Sequence, residues 1–476
     1  MTDDVTRVID TDNGGAASSR LNRLDLGLTS AEVRILHLGL GAFHRAHQAW
    51  YTHVVNQLQD TGWGISAYTG RRPDEAEKLA PQDGLYTLIT RSPSADTAEV
   101  IASISEVHAA SDVDAWLDGF GNPRVAVVTI TITEAGYCRN LDGGLDFDAP
   151  GIPLDLAALR AGERTPRSTA PGKLVQGLME RRSLGLPGLS IVSCDNLSSN
   201  GSITRGVLLE LCSAVDSALH DWVAANIRFP NTMVDRITPR TTEDDLAIAA
   251  ELTGWRDESP VVTEPFHEWV IERDFAAERP QWELAGAKLV DDVEPHEQRK
   301  LLLLNGAHSL LAYVGLAAGL STVAEAISDP TCRSLVLGWW TEAREIVEFD
   351  SAELDAYCAD LLERWANPRI AHRLEQIATD GSLKLPLRAI PVIRHFRSSG
   401  RMPQAAIHTV AGWMVHLRRG RLQGPDAALG YPLAGSATDS TTAALQILAP
   451  DLAHDIELRD AIAAKFDRFL AEFPTS

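Results

Sequence analysis

The chain has 476 residues, of which 45% are apolar and 23% charged, and its formal net charge is −22. That length suits two to three domains, and the composition is that of an ordinary globular protein, which excludes wholesale disorder. The negative charge argues against nucleic acid or an anionic membrane as a partner, because their phosphates would be repelled. A small anionic ligand in a locally basic site stays open.

Cys138, Cys194, Cys212, Cys332 and Cys358 are scattered, with no C-x-x-C pair. Such spacing fits reduced thiols in a cytoplasmic protein. The opening MTDDVTRVIDTDNGG carries acids and no apolar run, so no signal peptide is expected. The longest uncharged apolar stretch, Ser309 to Ala324, is shorter than the roughly 18 residues of a membrane span and reads as a buried helix.

Taken in chain order, residues 1–30 are polar and Gly/Ser-containing and read as a loose arm, with order beginning near Leu24. From 31 to about 290 short β-rich runs (Arg34–Leu38, Gly64–Thr69, Val125–Ile130, Leu189–Ser193) alternate with helical stretches such as Phe43–Gln57 and Gly172–Arg182. That alternation predicts an α/β domain with a mostly parallel sheet. From 291 to 476 long amphipathic helices take over. Leu354, Tyr357, Leu361 and Trp365 define one helix face, and further periods cover Ala405–Leu417, Thr441–Leu448 and Asp455–Phe473. An α-helical C-terminal domain is expected there.

The run Val33–His44 is a strand, a Gly39-Leu-Gly41 turn and a helix start through Ala42 and Phe43. Glycines suit a tight turn that a pyrophosphate must approach, with the helix N-terminus favouring its charge. The third glycine of the usual fingerprint is replaced by His44, so a plain strand–helix turn competes with the nucleotide reading. After the second strand come Gly70-Arg71-Arg72-Pro73-Asp74-Glu75, where a ribose-binding acid would usually stand. Arg71 and Arg72 could accommodate the 2′-phosphate of NADP, or form a solvated turn.

No Tyr-x-x-x-Lys occurs among the seven tyrosines, and neither H-E-x-x-H, clustered Cys/His ligands, G-x-S-x-G nor a phosphate-loop motif is present. A different proton acceptor is therefore needed. Glu297-Gln-Arg-Lys300-Leu-Leu-Leu-Leu-Asn305-Gly-Ala-His308-Ser supplies one. On an α-helix, at about 100° per residue, Lys300, His308 and Asn305 fall at roughly 0°, 80° and 140°, on one face. Lysine among apolar walls can serve as a general base, Asn305 can donate to an alkoxide oxygen, and His308 can bond a hydroxyl. An exposed lysine followed by an Asn-Gly turn is the bland alternative. Two polar clusters, Cys194–Gly201 with Asn196 and Thr129–Glu134 with Glu134, follow apolar strands and would face a ligand crevice; Asx turns and helix caps compete.

The segments HLGLGAFHRAHQAWYT, TITITEAGYC, SCDNLSSNG, FPNTMVDRITP, VTEPFHEWVIE, KLLLLNGAHS and ATDGSLKLP, spread over roughly residues 30–400, resemble the mannitol dehydrogenase family of polyol-specific long-chain dehydrogenases. The resemblance implies a Rossmann-type NAD(P)-binding domain, a helical substrate domain with the site in the cleft between them, and zinc-independent hydride transfer. Nominally the reaction interconverts D-mannitol and D-fructose. The alternatives are D-mannonate and D-fructuronate, mannitol 1-phosphate or another polyol, and, in a different class, a nucleotide-binding protein that has lost catalysis.

Carried onto this chain, the resemblance makes Lys300 the base and Asn196 with Asn305 the oxyanion-stabilising pair. His308 binds substrate hydroxyls, Glu297 exchanges protons with solvent, and Asp235 lies near the lysine. Gly39, Gly41, Ala42, Phe43, Arg71, Arg72 and Glu134 are assigned to the cofactor, NAD with NADP as the alternative and no metal. Two departures bear on substrate and coenzyme. Gln376 stands where mannitol enzymes of the family carry an arginine, and the text around it, with Lys384 and Arg388, is closer to the fructuronate reductases. Arg71-Arg72 replaces acids of the NAD-using mannitol enzyme. Nothing demands an obligate oligomer, and a monomer is expected.

Overall fold

The computed structural model describes residues 19–59, 62–140, 142–370, 372–420, 425–428 and 435–472. They divide into two compact units, one ending at Val293 and one beginning at Glu294.

The N-terminal unit holds eleven strands among the described residues: β1 (Val33–Leu38), β2 (Gly64–Tyr68), β3 (Tyr86–Arg91), β4 (Asp96–Ile101), β5 (Ile104–His108), β6 (Val127–Ile130), β7 (Ser190–Ser193), β8 (Thr232–Asp235), β9 (Val261–Thr263), β10 (Glu268–Glu272) and β11 (Lys288–Val290). Five form one sheet in the order β5-β2-β1-β6-β7, parallel throughout. This is a Rossmann-type sheet. Both faces of β1 are covered, and alternation sorts its residues. Leu36 and Leu38 pack with Trp116, Phe120, Leu174 and Leu178, whereas Ile35 packs with Tyr51, Val55 and Trp269.

Two three-stranded sheets, β4-β3-β9 and β11-β10-β8, add the antiparallel pairs β3/β4 and β8/β10. The helix expected over Phe43–Gln57 is two helices, Ala42–Ala46 and Gln48–Leu58, broken at His47 (φ −125°, ψ −92°). His47 is fully buried there, its Nε2 3.1 Å from the Glu268 carbonyl. Residues 1–18 of the expected arm lie outside the described residues. Order begins earlier than Leu24, however. Leu21 is fully buried, and the Arg23 guanidinium donates to the carbonyls of Thr29, Asp83, Ala102 and Ile104.

The C-terminal unit is helical. Leu354, Tyr357, Leu361 and Trp365 are buried on Ser351–Trp365, the face their spacing predicts. The unit's central rod, Glu294–Ala317, is long and apolar enough to cross a membrane by length and composition, yet 83% of its most apolar stretch is buried inside the protein. It is a core helix. The apolar run expected to stay helical to Ala324 stops at Ala317, turns through Gly319 (φ +80°), and restarts at Val323–Ser328 under a Thr322–Glu325 capping box. Helix Gln404–Arg418 crosses the rod at Gly412, where a methyl group would come within 2.9 Å of Tyr313 Cβ.

Candidate active site

The N-terminal unit's site grows from the carboxyl ends of its parallel strands. Gly39 follows β1 with φ +111°, and a Cβ there would lie 2.0 Å from the Thr131 carbonyl oxygen, so only glycine fits. The Thr131 hydroxyl returns a bond to the Gly39 carbonyl at 2.8 Å. At Gly41 a Cβ would meet nothing closer than 3.5 Å. Its bareness leaves room outside the turn, at the start of helix Ala42–Ala46, and a dinucleotide pyrophosphate suits that space. Gly39, Gly41, Ala42 and Phe43 make up this turn and the helix start that follows it.

The loop after β7 is tied to the loop after β6 by Asp195, which sequence reasoning passed over. Its carboxylate accepts from Ile132 N at 3.0 Å, Thr133 N at 2.8 Å and the Tyr137 hydroxyl at 2.7 Å. Burial raises its pKa, and those three donors oppose the rise. Asn196, the next residue, is exposed at the rim. Thr133 takes φ +65°, which is strained for a β-branched residue, and the exposed Glu134 then opens a short helix that ends at the buried Tyr137. Asp235 is buried at the end of β8, opposite Glu268 of β10. Arg71 and Arg72 are exposed, with Arg72 Nε 3.3 Å from Asp74.

In the C-terminal unit the stretch Lys300–Gly306 is a π-helical turn within the rod. The 100° spacing used to place Lys300, Asn305 and His308 therefore fails through Gly306. Such widened turns have i→i+5 bonds and occur mostly as single turns at functional sites. Its cause lies on the neighbouring helix Pro330–Ala343. Trp339 Nε1 donates to the Leu302 carbonyl and Trp340 Nε1 to the Leu303 carbonyl, both at 2.8 Å. Trp339 packs so closely on Gly306 that a Cβ there would come within 2.3 Å of the indole.

Lys300 is buried at the start of this turn, Asn305 is half-buried near its end, and His308 is buried one step beyond. The His308 ring lies 4.8 Å from Trp365 and 5.0 Å, edge-on, from His372, and its buried Nε2 has no hydrogen-bond partner. Burial first, then His372, Arg364, Arg388 and Lys300, holds the imidazole well below the usual histidine range. His308 is neutral at physiological pH. Glu297, half-buried, precedes Lys300 on Glu294–Arg299.

Arg388 joins this group. Its Nη1 donates to Ser309 Oγ at 3.1 Å and, at the long limit of 3.4 Å, to the Asn305 carbonyl. It is carried by helix Gly381–Arg388, whose start is pinned by Asp426, an acid that sequence reasoning did not single out. That carboxylate accepts from Gly381 N at 2.9 Å, Ser382 N at 3.0 Å and Trp413 Nε1 at 3.0 Å. A Cβ at Gly381 would strike Trp413 and Tyr313 within 2.4 Å, which accounts for the glycine of the Asp380-Gly-Ser segment. Lys384 Nζ bonds the Ile377 carbonyl and Thr379 Oγ1, each at 3.3 Å, and Gln376 is exposed.

The structure thus gathers Lys300, Asn305, His308 and Arg388, and adds Arg364, Trp365 and His372. Gln376 points to solvent. Adjacent tryptophans at 339 and 340 were the one sequence signal that something unusual faced the leucine run. All five cysteines are free thiols. Among the described residues no three His, Cys, Asp or Glu side chains converge as ligands for a metal ion.

Residues 33–284 match the mannitol dehydrogenase Rossmann domain, and residues 292–460 match the mannitol dehydrogenase C-terminal domain. The chain is 39% identical over 392 residues to D-mannonate oxidoreductase of Escherichia coli K12, spanning 80% of this chain and 79% of that one. It is 40% identical over 375 residues to mannitol 2-dehydrogenase of Aspergillus fumigatus, spanning 75% and 73%. Among solved structures, Pseudomonas fluorescens mannitol 2-dehydrogenase in ternary complex with NAD and D-mannitol aligns with a TM-score of 0.78 at 32% identity, over 95% of this chain and 96% of that one. Matched by both domain models over most of its length, the chain belongs to the mannitol dehydrogenase family of oxidoreductases.

Proposed function

We propose that the protein transfers hydride between NAD and the secondary alcohol or ketone of an open-chain sugar, nominally D-mannitol and D-fructose, with Lys300 as general base. The observation that carries this is a buried lysine opening a π-helical turn that contains Asn305 and runs into a neutral His308 whose Nε2 has no hydrogen-bond partner. The dinucleotide supplies the hydride acceptor, and Gly39, Gly41, Ala42 and Phe43 hold its pyrophosphate, with Arg71, Arg72 and Glu134 flanking.

In the oxidative direction the unprotonated Lys300 amine takes the proton of the reacting hydroxyl as hydride leaves the same carbon. Asn196 and Asn305 offer amide N–H donors to the oxygen as it gains charge, which lowers the barrier most when the donors are already in place. His308 bonds a neighbouring hydroxyl without taking on charge. Glu297 passes the proton on to solvent, and Asp235 has an auxiliary role. The reading needs no zinc. It is supported by the donor set, since lysine and asparagine side chains are not the ligands zinc selects.

A second reading is favoured by one observation. Arg388 lies along the Asn305–Ser309 face, with Lys384 one turn earlier on the same helix, so cations are at hand for a carboxylate. The substrate would then be an aldonate and its keto-uronate, as in D-mannonate and D-fructuronate. Neutral polyols, aldonates and their ketoses, offered with NADH and NADPH and followed at the nicotinamide absorbance, test both readings. Turnover of none of them by a protein that binds coenzyme would leave only a nucleotide-binding protein without catalysis.

A further inference from the structure

Where β1 and β2 end, the N-terminal unit has a narrow cleft open to solvent, lined by Leu38, Tyr68, Val113, Trp116, Arg167 and Lys173 among others. A crevice outside the carboxyl ends of parallel strands, beside the glycine turn, is where such a sheet takes the adenosine half of a dinucleotide. Any role of this cleft in coenzyme choice rests on that proposed nucleotide reading.

The charge of the cleft is opposite to the usual arrangement. A carboxylate at the end of the second strand ordinarily bonds the ribose hydroxyls of NAD. Here no acid occurs between Tyr68 and Pro73. The Thr69 hydroxyl is engaged by Ala110 N at 2.9 Å, and Gly70 has no side chain, although a Cβ there would meet nothing within 4 Å. Arg71 and Arg72 follow, exposed.

The opposite wall supplies buried cations. Lys173 is 7% exposed and Arg167 4%. Lys173 Nζ donates to the Ala110 carbonyl at 3.1 Å and to the Gly70 carbonyl at 3.4 Å, which uses two of its three protons. Arg167 spends its terminal nitrogens on Thr165 Oγ1 and the Glu163 carbonyl and keeps a buried Nε with no partner. No Asp or Glu is among the described residues lining the cleft. Asp155, the acid that Lys173 feels, is committed to Ser168 N at 2.9 Å and Thr169 N at 2.8 Å. Burial brings the Lys173 ammonium down to about 8, so at neutral pH it stays charged, poorly solvated and short of a counter-ion.

We propose that Lys173 is a coenzyme-specificity residue: it clamps the Gly70 and Ala110 loops and, with Arg167 behind it, gives the ribose corner the positive charge that a 2′-phosphate requires. The chain then takes NADP at least as well as NAD. A neutral diol gains little from an ammonium, whereas a phosphate monoester gains charge-assisted hydrogen bonds.

The test uses dead-end probes and the intact protein. Binding of adenosine 2′,5′-bisphosphate and of 5′-AMP is measured by calorimetry at pH 7. The wild type binds the bisphosphate at least ten-fold more tightly. Lys173→Met lowers that ratio at least five-fold, and Lys173→Arg retains most of it. Where Lys173→Met does not fold, Lys173→Gln, which can still bond one of the two carbonyls, replaces it. A ratio of one or less in the wild type, or a ratio unmoved by loss of the Lys173 charge, overturns the proposal. So does a ratio that collapses only in the Arg71→Ser/Arg72→Ser double variant, since the preference then belongs to the surface arginines. If neither probe binds, the nucleotide reading itself is what fails.

Discussion

In the N-terminal unit the loops after β1, β6 and β7 are locked by backbone and buried-carboxylate bonds, from Gly39 to Thr131 and from Ile132 and Thr133 to Asp195. In the C-terminal unit Lys300, Asn305 and His308 lie along one distorted helix, wedged by Trp339, Trp340 and Gly306. The first surface is mostly main chain and glycine. It suits a phosphate skeleton, which needs room and N–H groups more than particular side chains. The second is made of side chains whose direction depends on helical pitch. A small change in pitch would re-aim them.

Acid should separate the units most strongly. Burial first of all brings His37 and His47 down to about 3 and His53 and His267 to about 4. Their folded values lie below the unfolded value near 6.5, so the unfolded chain binds more protons as pH falls from 6.5 towards 4. Stability present above pH 6.5 is then lost at up to about 1.4 kcal/mol per pH unit for each such histidine. His108, raised by Glu106 and Asp112, works in the opposite sense but is only half-buried. His308, His372 and His408 contribute in the C-terminal unit. Hydrogen exchange at pH 7 and 5, corrected for intrinsic rates, should show protection falling more in the N-terminal unit; equal loss would erase this contrast.

Lys300→Ala should lower kcat at least roughly a hundred-fold, the scale of a lost general base, with coenzyme affinity unchanged. Near wild-type turnover at neutral pH would remove Lys300 from the mechanism. Lys384→Met should weaken a carboxylated substrate by more than about 2 kcal/mol in kcat/KM and a neutral polyol distinctly less. Equal losses would assign Lys384 only its structural bonds to Ile377 and Thr379.

Gly306→Ala should cost about 1–3 kcal/mol, because the added methyl meets the Trp339 indole. Gly41→Ala, which meets nothing closer than 3.5 Å, should leave melting nearly unchanged and weaken coenzyme binding instead. Comparable melting losses in both would show that the two glycines do the same job. Exhaustive EDTA treatment should change activity least of all, and a loss that zinc restores would overturn the lysine reading.

Much of this architecture is legible in the chain because the signals are local. β1, β6 and β7 are apolar runs buried on both faces, and the face through Leu354, Tyr357, Leu361 and Trp365 repeats at helical spacing. The features that stay hidden are set at a distance. The π-helical turn depends on indoles more than thirty residues later, and no property of Lys300–Gly306 alone distinguishes it from an α-helix. The break at His47 depends on the Glu268 carbonyl, and the antiparallel pairs β3/β4 and β8/β10 join strands whose partners the alternation of strands and helices does not announce. Asp195 and Asp426 read as ordinary polar residues until their N–H donors fold around them. Lys173 sits in a helical stretch where a lysine is ordinarily a solvated surface charge.

The rod Glu294–Ala317 has a further property that stems from its wide turn. A helix usually frays from its ends, where carbonyl and amide groups lack partners. This one carries its irregular hydrogen bonds in the middle, in the core of its unit, while both flanks are regular α-helix. Its first opening fluctuations are therefore expected to begin inside, at Lys300–Gly306, and to spread outward. Amide exchange along the rod would then rise to a maximum beside the catalytic candidates, a breathing mode at the site that leaves the surrounding fold closed.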